Sequence, residues 1–223
     1  MDEESADENQ LRRSLRFIQR VNSWLGYTRS TLRHLQRFSR TWKQGERVEI
    51  LDLATGSADI PRAILKWADR KGFDIRIIGV DRHAITANTA AAGENDPRLQ
   101  IIQADVFNLP FAPASFDYVL TAMFLHHLDE AQAITVMKHM NSLARRGVIV
   151  ADLLRHSRAY AWITLFTMFA NPMVRHDARA SVAQSFRKNE VLRMQEEAGL
   201  NFARYHRHFG HRFILAGEKT ADK

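Results

Sequence analysis

Ile50-Leu51-Asp52-Leu53-Ala54-Thr55-Gly56-Ser57-Ala58-Asp59 reads as the end of a short apolar strand, a tight turn and the first residue of a helix. The strand opens near Arg47 with Val48-Glu49-Ile50, and Asp59 with Pro61 marks the helix start. Gly56 permits a close backbone turn, and the helix that follows offers unpaired N–H groups. A doubly wound sheet binds its ligands outside such strand ends. Two ligand chemistries compete for the turn. A dinucleotide cradle wants glycine at three positions, G-x-G-x-x-G. Counted from Gly56, this chain offers Gly56, Ala58 and Pro61, which disfavours a pyrophosphate.

Outward from this turn the rhythm of strand and helix continues. Residues 75–80, 99–103, 116–121 and 147–151 read as further strands, with helices over 84–92 and 129–143. Five strands alternating with helices imply a parallel sheet covered on both faces. Residues 202–208, a Phe209-Gly210 turn and residues 211–218 read as an antiparallel hairpin. The stretch 153–187 interrupts the alternation and predicts one or two inserted helices. Near the start, Leu11, Leu15, Ile18, Val21 and Leu25 recur at helical spacing, and a second helix is expected over roughly 28–42. The expected class is therefore α/β. It has a doubly wound, mostly parallel seven-stranded sheet, a C-terminal antiparallel hairpin, N-terminal helices and a helical insertion after the fifth strand. Residues 1–9 read as a disordered acidic tail, 10–45 as an N-terminal helical cap and 46–223 as the main domain, with a lid at 153–187.

Composition narrows the function classes. The 223 residues are 45% hydrophobic and contain no cysteine, so neither a disulfide framework nor a cysteine-ligated metal site is available. Residues 1–10 are acidic and polar, unlike a signal peptide, and no apolar run reaches the roughly 20 residues that span a bilayer. A cytoplasmic location is expected. The net charge of +7 can attract nucleic acid or anionic lipid, but a solvated basic surface is the better explanation.

Carboxylates at successive strand ends decide between the ligand chemistries. Gly79-Val80-Asp81 ends the second strand with an acid that can accept both hydroxyls of a ribose, and Gln103-Ala104-Asp105 places another beyond the third. One such acid could merely cap a turn, whereas three in one sheet favour a ligand. Together with Leu109-Pro110-Phe111 and Ser115-Phe116-Asp117-Tyr118-Val119, these motifs resemble class I S-adenosylmethionine-dependent methyltransferases over roughly residues 47–152. Ala54 and Ala58 stand where that family usually has glycine. The resemblance implies that Asp52 and the backbone of Ala54, Thr55 and Gly56, with Asp59, face the methionine part of S-adenosylmethionine. It implies further that Asp81 lies at the ribose, Asp105 and Val106 at the adenine, and Arg82 and Ala122 beside the cofactor.

Methyl transfer to a hydroxyl needs alignment and removal of a proton, and a phenol has an ordinary pKa near 10. The segment after the fourth strand, Thr121-Ala122-Met123-Phe124-Leu125-His126-His127-Leu128, carries two histidines, the side chain best matched to proton transfer near neutral pH. His126 is the leading base candidate and His127 the second. Equally, one could cap the helix beginning at Asp129 while the other packs. His176, inside Arg175-His176-Asp177, is a rival base. The uncharged run Ala159–Ala170 reads as a hydrophobic lid or as a buried or dimer helix.

With Val21-Asn22-Ser23-Trp24-Leu25, Phe124–Leu128 and Val174-Arg175-His176-Asp177, the chain resembles small-molecule methyltransferases of bacterial polyketide pathways, and more distantly quinone-ring methyltransferases. That resemblance implies a phenolic or polyketide acceptor methylated on oxygen, with Trp24, Arg155, Tyr160, Arg175 and Asp177 as candidate substrate contacts. Carbon methylation of a quinone-type ring and RNA methylation are the alternatives. Thr121-Ala122-Met123-Phe124 lacks the Asn/Asp-Pro-Pro-aromatic signature of base-amine methylases, which argues against a nucleic-acid target. No acidic cluster suggests a metal, and a homodimer is compatible with the apolar run.

Overall fold

The computed structural model describes residues 27–92, 96–168 and 172–220. The expected tail at 1–9, the helix at 11–25 and Trp24 lie outside the described residues. The chain divides into two compact units, Met1–Pro110 and Phe111–Lys223.

The first unit begins with helix α1 (Tyr27–Phe38) and a 3-10 turn (Ser39–Thr41). The expected helix over 28–42 therefore tightens into 3-10 form after Phe38, and Trp42 is already extended at ψ 142°. Trp42 packs edge-on against Trp67 and Phe73, with ring centroids 5.9 and 5.1 Å away. Strand β1 (Arg47–Leu53) leads through helix α2 (Asp59–Lys71) to β2 (Asp74–Asp81), then through α3 (Ala84–Ala92) to β3 (Leu99–Gln103). The strands run in the order β3-β2-β1 and all are parallel. Parallel strands need helical crossovers that cover them, so their side chains face apolar neighbours on both sides. Accordingly Val48, Ile50, Leu51 and Leu53 of β1 are fully buried with Ile64 of α2 and Ile75 of β2.

The second unit starts with β4 (Phe116–Ala122), a 3-10 turn (Leu125–His127) and helix α4 (Glu130–Leu143). Asp129 closes the start of α4 with a capping box, accepting from Gln132 N at 2.8 Å while Gln132 Oε1 accepts from Asp129 N. The aspartate caps this helix, so neither histidine is needed for that purpose. Strand β5 (Ala144–Leu153) lies parallel to β4. The stretch 153–187 holds two helices, α5 (Ser157–Phe166) and α6 (Pro172–Gln184). A further helix, α7 (Lys188–Glu197), had no counterpart in the sequence reading. Glu190 closes its start by accepting from Arg187 N at 2.7 Å, and this is the local signal that marks it. Strands β6 (Arg204–His208) and β7 (Arg212–Glu218) complete the expected hairpin, with β7 antiparallel to both β5 and β6.

The fold class is the expected one: α/β, with a seven-stranded, mostly parallel sheet and an antiparallel C-terminal pair. Among the described residues no helix is long and apolar enough to cross a membrane.

Gly147 and Gly217 let the last strands come together, since a Cβ on either would meet backbone atoms. A Cβ on Gly217 would lie 2.3 Å from the Phe202 carbonyl oxygen and 2.5 Å from Ala203 Cα, both backbone atoms. Gly217→Ala is therefore expected to destabilise the protein by about 3 kcal/mol, the range of a forced core insertion. Gly72→Ala, a left-handed helix end with open space at its Cβ, provides the strain-only comparison in urea unfolding. Equal losses in the two variants would contradict the steric reading.

Candidate active-site elements

In the first unit, the turn after β1 is held by its own backbone and by the carboxylates that end β1 and β2. Thr55 N donates to the Val80 carbonyl at 2.8 Å, tying the turn to β2. Gly79 makes that approach possible, since a Cβ there would stand 2.8 Å from Ile101 Cδ1 and 3.0 Å from the Thr55 side chain. Thr55 Oγ1 donates to Asp52 Oδ2 at 2.7 Å, and Gly56 N donates to Asp81 Oδ2 at 3.1 Å. Asp81 Oδ1 accepts from His83 N at 3.0 Å. Asp52, Thr55, Gly56 and Asp81 are thus brought together by these bonds. Asp59 opens α2 and is half-buried.

Two residues in this turn pay for its shape. Ala54 and Ala58 have φ of 54° and 57°, in the left-handed region that glycine adopts freely. Gly56 has φ of 56°, and nothing lies within 4 Å of where its Cβ would be. The alanines that departed from the usual glycine pattern therefore adopt the glycine conformation nonetheless. The open space lies above Gly56.

Asp52 is 3% exposed, and burial pushes its carboxyl up to about 7. The Thr55 hydroxyl opposes the rise, whereas the charges of Asp81 and Asp59 add to it. Farther out, Asp105 Oδ1 accepts from Phe107 N at 3.0 Å, and Arg82 approaches Asp105 at 4.0 Å while largely exposed. Val106 is buried beside it in sequence. Asp52 and Asp81 have no ion-pair partner among the described residues. A site with open space above a glycine and uncompensated carboxylates suits a cationic ligand bearing hydroxyls, as S-adenosylmethionine is. It does not suit a pyrophosphate.

In the second unit a histidine–aspartate pair forms where β4 and β5 end. Met123 takes φ of 56° directly after β4 and turns the chain into the Leu125–His127 turn. His126 Nδ1 and Asp152 Oδ1 lie 2.6 Å apart, with side chains 3% and 2% exposed. An ionised carboxylate only accepts, so Nδ1 carries the proton and Nε2 is left as the basic nitrogen. Asp152 Oδ2 also accepts from Phe124 N at 3.2 Å and His126 N at 3.3 Å, and Oδ1 from Leu153 N at 2.7 Å. Burial alone would raise the Asp152 carboxyl. The His126 ring and these N–H groups outweigh it and hold the carboxyl below the usual carboxylate range.

The remaining candidates in this unit are spread around that pair. Ala122 is the last residue of β4. His127 is exposed, with its ring tilted 4.1 Å from the His126 ring. Helix α6, which carries Arg175, His176 and Asp177, packs against the Leu125–His127 turn, and His176 is exposed. Arg155 instead pairs with Glu190 of α7 at 2.6 Å. Tyr160 is exposed on α5. Sequence reasoning missed Asp152, although it ends a parallel strand as Asp52 and Asp81 do. Among the described residues no group of acids and histidines is placed to hold a metal.

This arrangement, acids at strand ends in an α/β sheet with a reversed C-terminal pair, is that of the class I methyltransferases. Residues 50–147 match a family described as a methyltransferase domain. A demethylmenaquinone methyltransferase of Bacillus velezensis is 26% identical over 181 residues, 72% of this chain and 74% of that protein. Among solved structures, human N-acetylserotonin methyltransferase in complex with S-adenosylmethionine superposes with a TM-score of 0.67 at 14% identity, covering 96% of this chain and 57% of that one. Magnesium protoporphyrin IX methyltransferase from Synechocystis PCC 6803, with bound S-adenosylhomocysteine, gives 0.62 at 13% identity, covering 87% and 84%. These likenesses bear out the expected methyltransferase fold, with S-adenosylmethionine as cofactor, and the methyltransferase domain spans residues 50–147.

Two outcomes test the turn. Ala54→Gly is expected to stabilise the protein by about 1 kcal/mol, because the left-handed strain of alanine is relieved. The raised Asp52 carboxyl favours folding fully below the ordinary carboxyl range, and that advantage is lost as pH rises through about 7. The wild type, without cofactor, should therefore lose stability relative to Asp52→Asn between about pH 4 and about pH 7, by up to about 4 kcal/mol. Parallel urea-unfolding curves for the two proteins at all pH values would refute this.

Proposed function

We propose that the protein transfers the methyl group of S-adenosylmethionine to the hydroxyl of a small aromatic acceptor, of phenolic or polyketide type. S-Adenosylmethionine supplies a methyl group on a sulfonium, an electrophile that needs an aligned and deprotonated nucleophile. The observation that carries the reading is the buried His126–Asp152 pair, whose 2.6 Å contact fixes the tautomer that leaves Nε2 basic. His126 takes the phenolic proton, and Asp152 is the positioning residue that holds the ring and steadies the charge it acquires. His127 and His176 are the reserve candidates. Asp81 binds the ribose hydroxyls with lone pairs left over from its two backbone bonds. Asp105 and Val106 bind the adenine, and Asp52 with the Ala54–Gly56 backbone receives the methionine end. Arg82, Asp59 and Ala122 border the cofactor. Tyr160, Arg175 and Asp177 belong to the acceptor side.

One observation supports a second reading, methylation of a ring carbon: the 26% identical relative is a demethylmenaquinone methyltransferase. The same base serves both reactions, because a hydroquinone carbon becomes nucleophilic when the neighbouring hydroxyl loses its proton. Product analysis by mass spectrometry and NMR with labelled cofactor separates them, an O-methyl signal marking the first and a C-methyl signal the second.

His126→Ala is expected to lower kcat by two to three orders of magnitude, roughly what a positioned base contributes. The lost rate should return as pH approaches about 10, where a phenol ionises unaided. Intact turnover in His126→Ala, with His176→Ala inactive, would move the base to α6. Asp81→Ala is expected to weaken cofactor binding more than tenfold in calorimetry, on the order of 1.4 kcal/mol or more. Unchanged affinity would displace the ribose assignment.

A further inference from the structure

Large apolar side chains that stay exposed are concentrated in one place. Of the eight among the described residues, Tyr160, Trp162, Leu165, Phe166 and Met168 belong to α5 and the residues directly after it. The helix is two-faced. Ala159, Ile163 and Thr167 follow one another at intervals of four and turn inward. Ala159 and Thr167 are buried, and the Thr167 hydroxyl donates to the Ile163 carbonyl at 2.7 Å. Arg158, Trp162, Leu165 and Phe166, at i, i+4, i+7 and i+8, look outward, and Leu165 is 68% exposed. The Trp162 and Phe166 rings stack 4.9 Å apart and 9° from parallel, so the outward face is a preformed aromatic ridge. An exposed apolar patch of this kind, rimmed by polar groups, marks a contact surface.

The charge around the ridge indicates what it contacts. From Leu153 to His176 the sequence holds three arginines and no acid. Arg155 is engaged by Glu190, whereas Arg158 stands on the outward face itself. At the start of α5, His156 Nδ1 accepts from Arg158 N at 3.1 Å, and the His156 ring stacks on the His211 ring 4.3 Å away. Leu154 N donates to the His211 carbonyl at 2.8 Å, which fixes the β6–β7 turn beside this end of the helix. Burial holds His211 below its ordinary pKa, and the His156 ring, Arg207 and Arg158 act in the same direction. Two arginines and two histidines are thus gathered at one end of the ridge. The turn beside them carries Phe209, 94% exposed.

We propose that this face docks on an anionic lipid bilayer. Helix α5 lies in the plane of the surface, Trp162, Leu165 and Phe166 enter the boundary between headgroups and acyl chains, and Arg158 meets the lipid phosphates. A bilayer supplies both halves of the complement, an apolar layer and a fixed layer of negative charge. A second copy of the chain supplies only the apolar half, because its own ridge brings the same cations. At ten residues α5 is about 15 Å long, so it lies on a membrane without crossing it. Tryptophan and tyrosine suit that depth, with an apolar ring body and a polar group that stays wet. Docking of this kind requires neither the assigned base nor the assigned acceptor.

Co-sedimentation of the full-length protein with lipid vesicles, followed by tryptophan emission, tests the surface. Vesicles of phosphatidylcholine mixed with phosphatidylglycerol are expected to bind at least about tenfold more tightly than phosphatidylcholine alone, and added salt should narrow the difference. Replacing both Leu165→Ser and Phe166→Ser is expected to weaken binding about tenfold or more. Arg158→Glu should bring the two kinds of vesicle close together, and it serves if the serine pair does not fold. Trp162→Phe should keep the binding but lose most of the blue shift in emission. Binding to neither vesicle, or binding that the serine pair and Arg158→Glu leave unchanged, overturns the proposal. Lipid-free dimerisation that the serine pair abolishes also overturns it, since the face then belongs to a second copy.

Discussion

The turn after β1 is built on burying two carboxylates that pair with no cation among the described residues. Asp52 and Asp81 each receive a hydrogen bond from the turn between β1 and α2, one through the Thr55 hydroxyl and one through the Gly56 N–H. Those bonds soften the cost of burial, but the raised Asp52 carboxyl shows that they do not remove it. The turn must adopt left-handed backbone at Ala54, Gly56 and Ala58 to make them. Local strain, buried charge and open space thus occur in the same few residues. Such a combination persists when something else compensates, and a cationic cofactor is the natural compensation.

The second unit uses a carboxylate in the opposite way. Asp152 collects N–H donors from Phe124, His126 and Leu153 and the ring of His126, so its charge is satisfied within the protein. The same carboxylate therefore shapes the chain after β4 and sets the histidine tautomer. Removal of either partner would disturb both the loop and the proton chemistry, which is why the conservative Asp152→Asn change, keeping the shape but reversing one hydrogen-bond requirement, is more informative than truncation.

Much of the fold was legible because parallel strands advertise themselves as short continuous apolar runs. Leu99–Gln103 and the helix Ala84–Ala92 have the bounds read from the sequence, and β1 and β4 differ by a residue at one end. The cofactor turn was legible through residue type and order, since Asp52, Gly56 and Asp81 follow from strand ends and a turn. What the sequence could not display was pairing. Asp152 lies 26 residues from His126, and their contact exists only once β4 and β5 are side by side. Helix α7 escaped because its polar capping residues precede a short helix with few apolar positions.

Strand β5 has a consequence for the life of the chain before it is folded. It is the longest strand, buried almost throughout, and it needs β4 on one side and β7 on the other. During synthesis β4 emerges first, whereas Arg212–Glu218 follows only after three further helices and β6. In that interval β5 presents an open, strongly apolar edge, the feature by which nascent sheets pair with the wrong chain. Its yield in a cell should then depend on how fast the ribosome delivers the last hairpin and on how well chaperones shield that edge meanwhile.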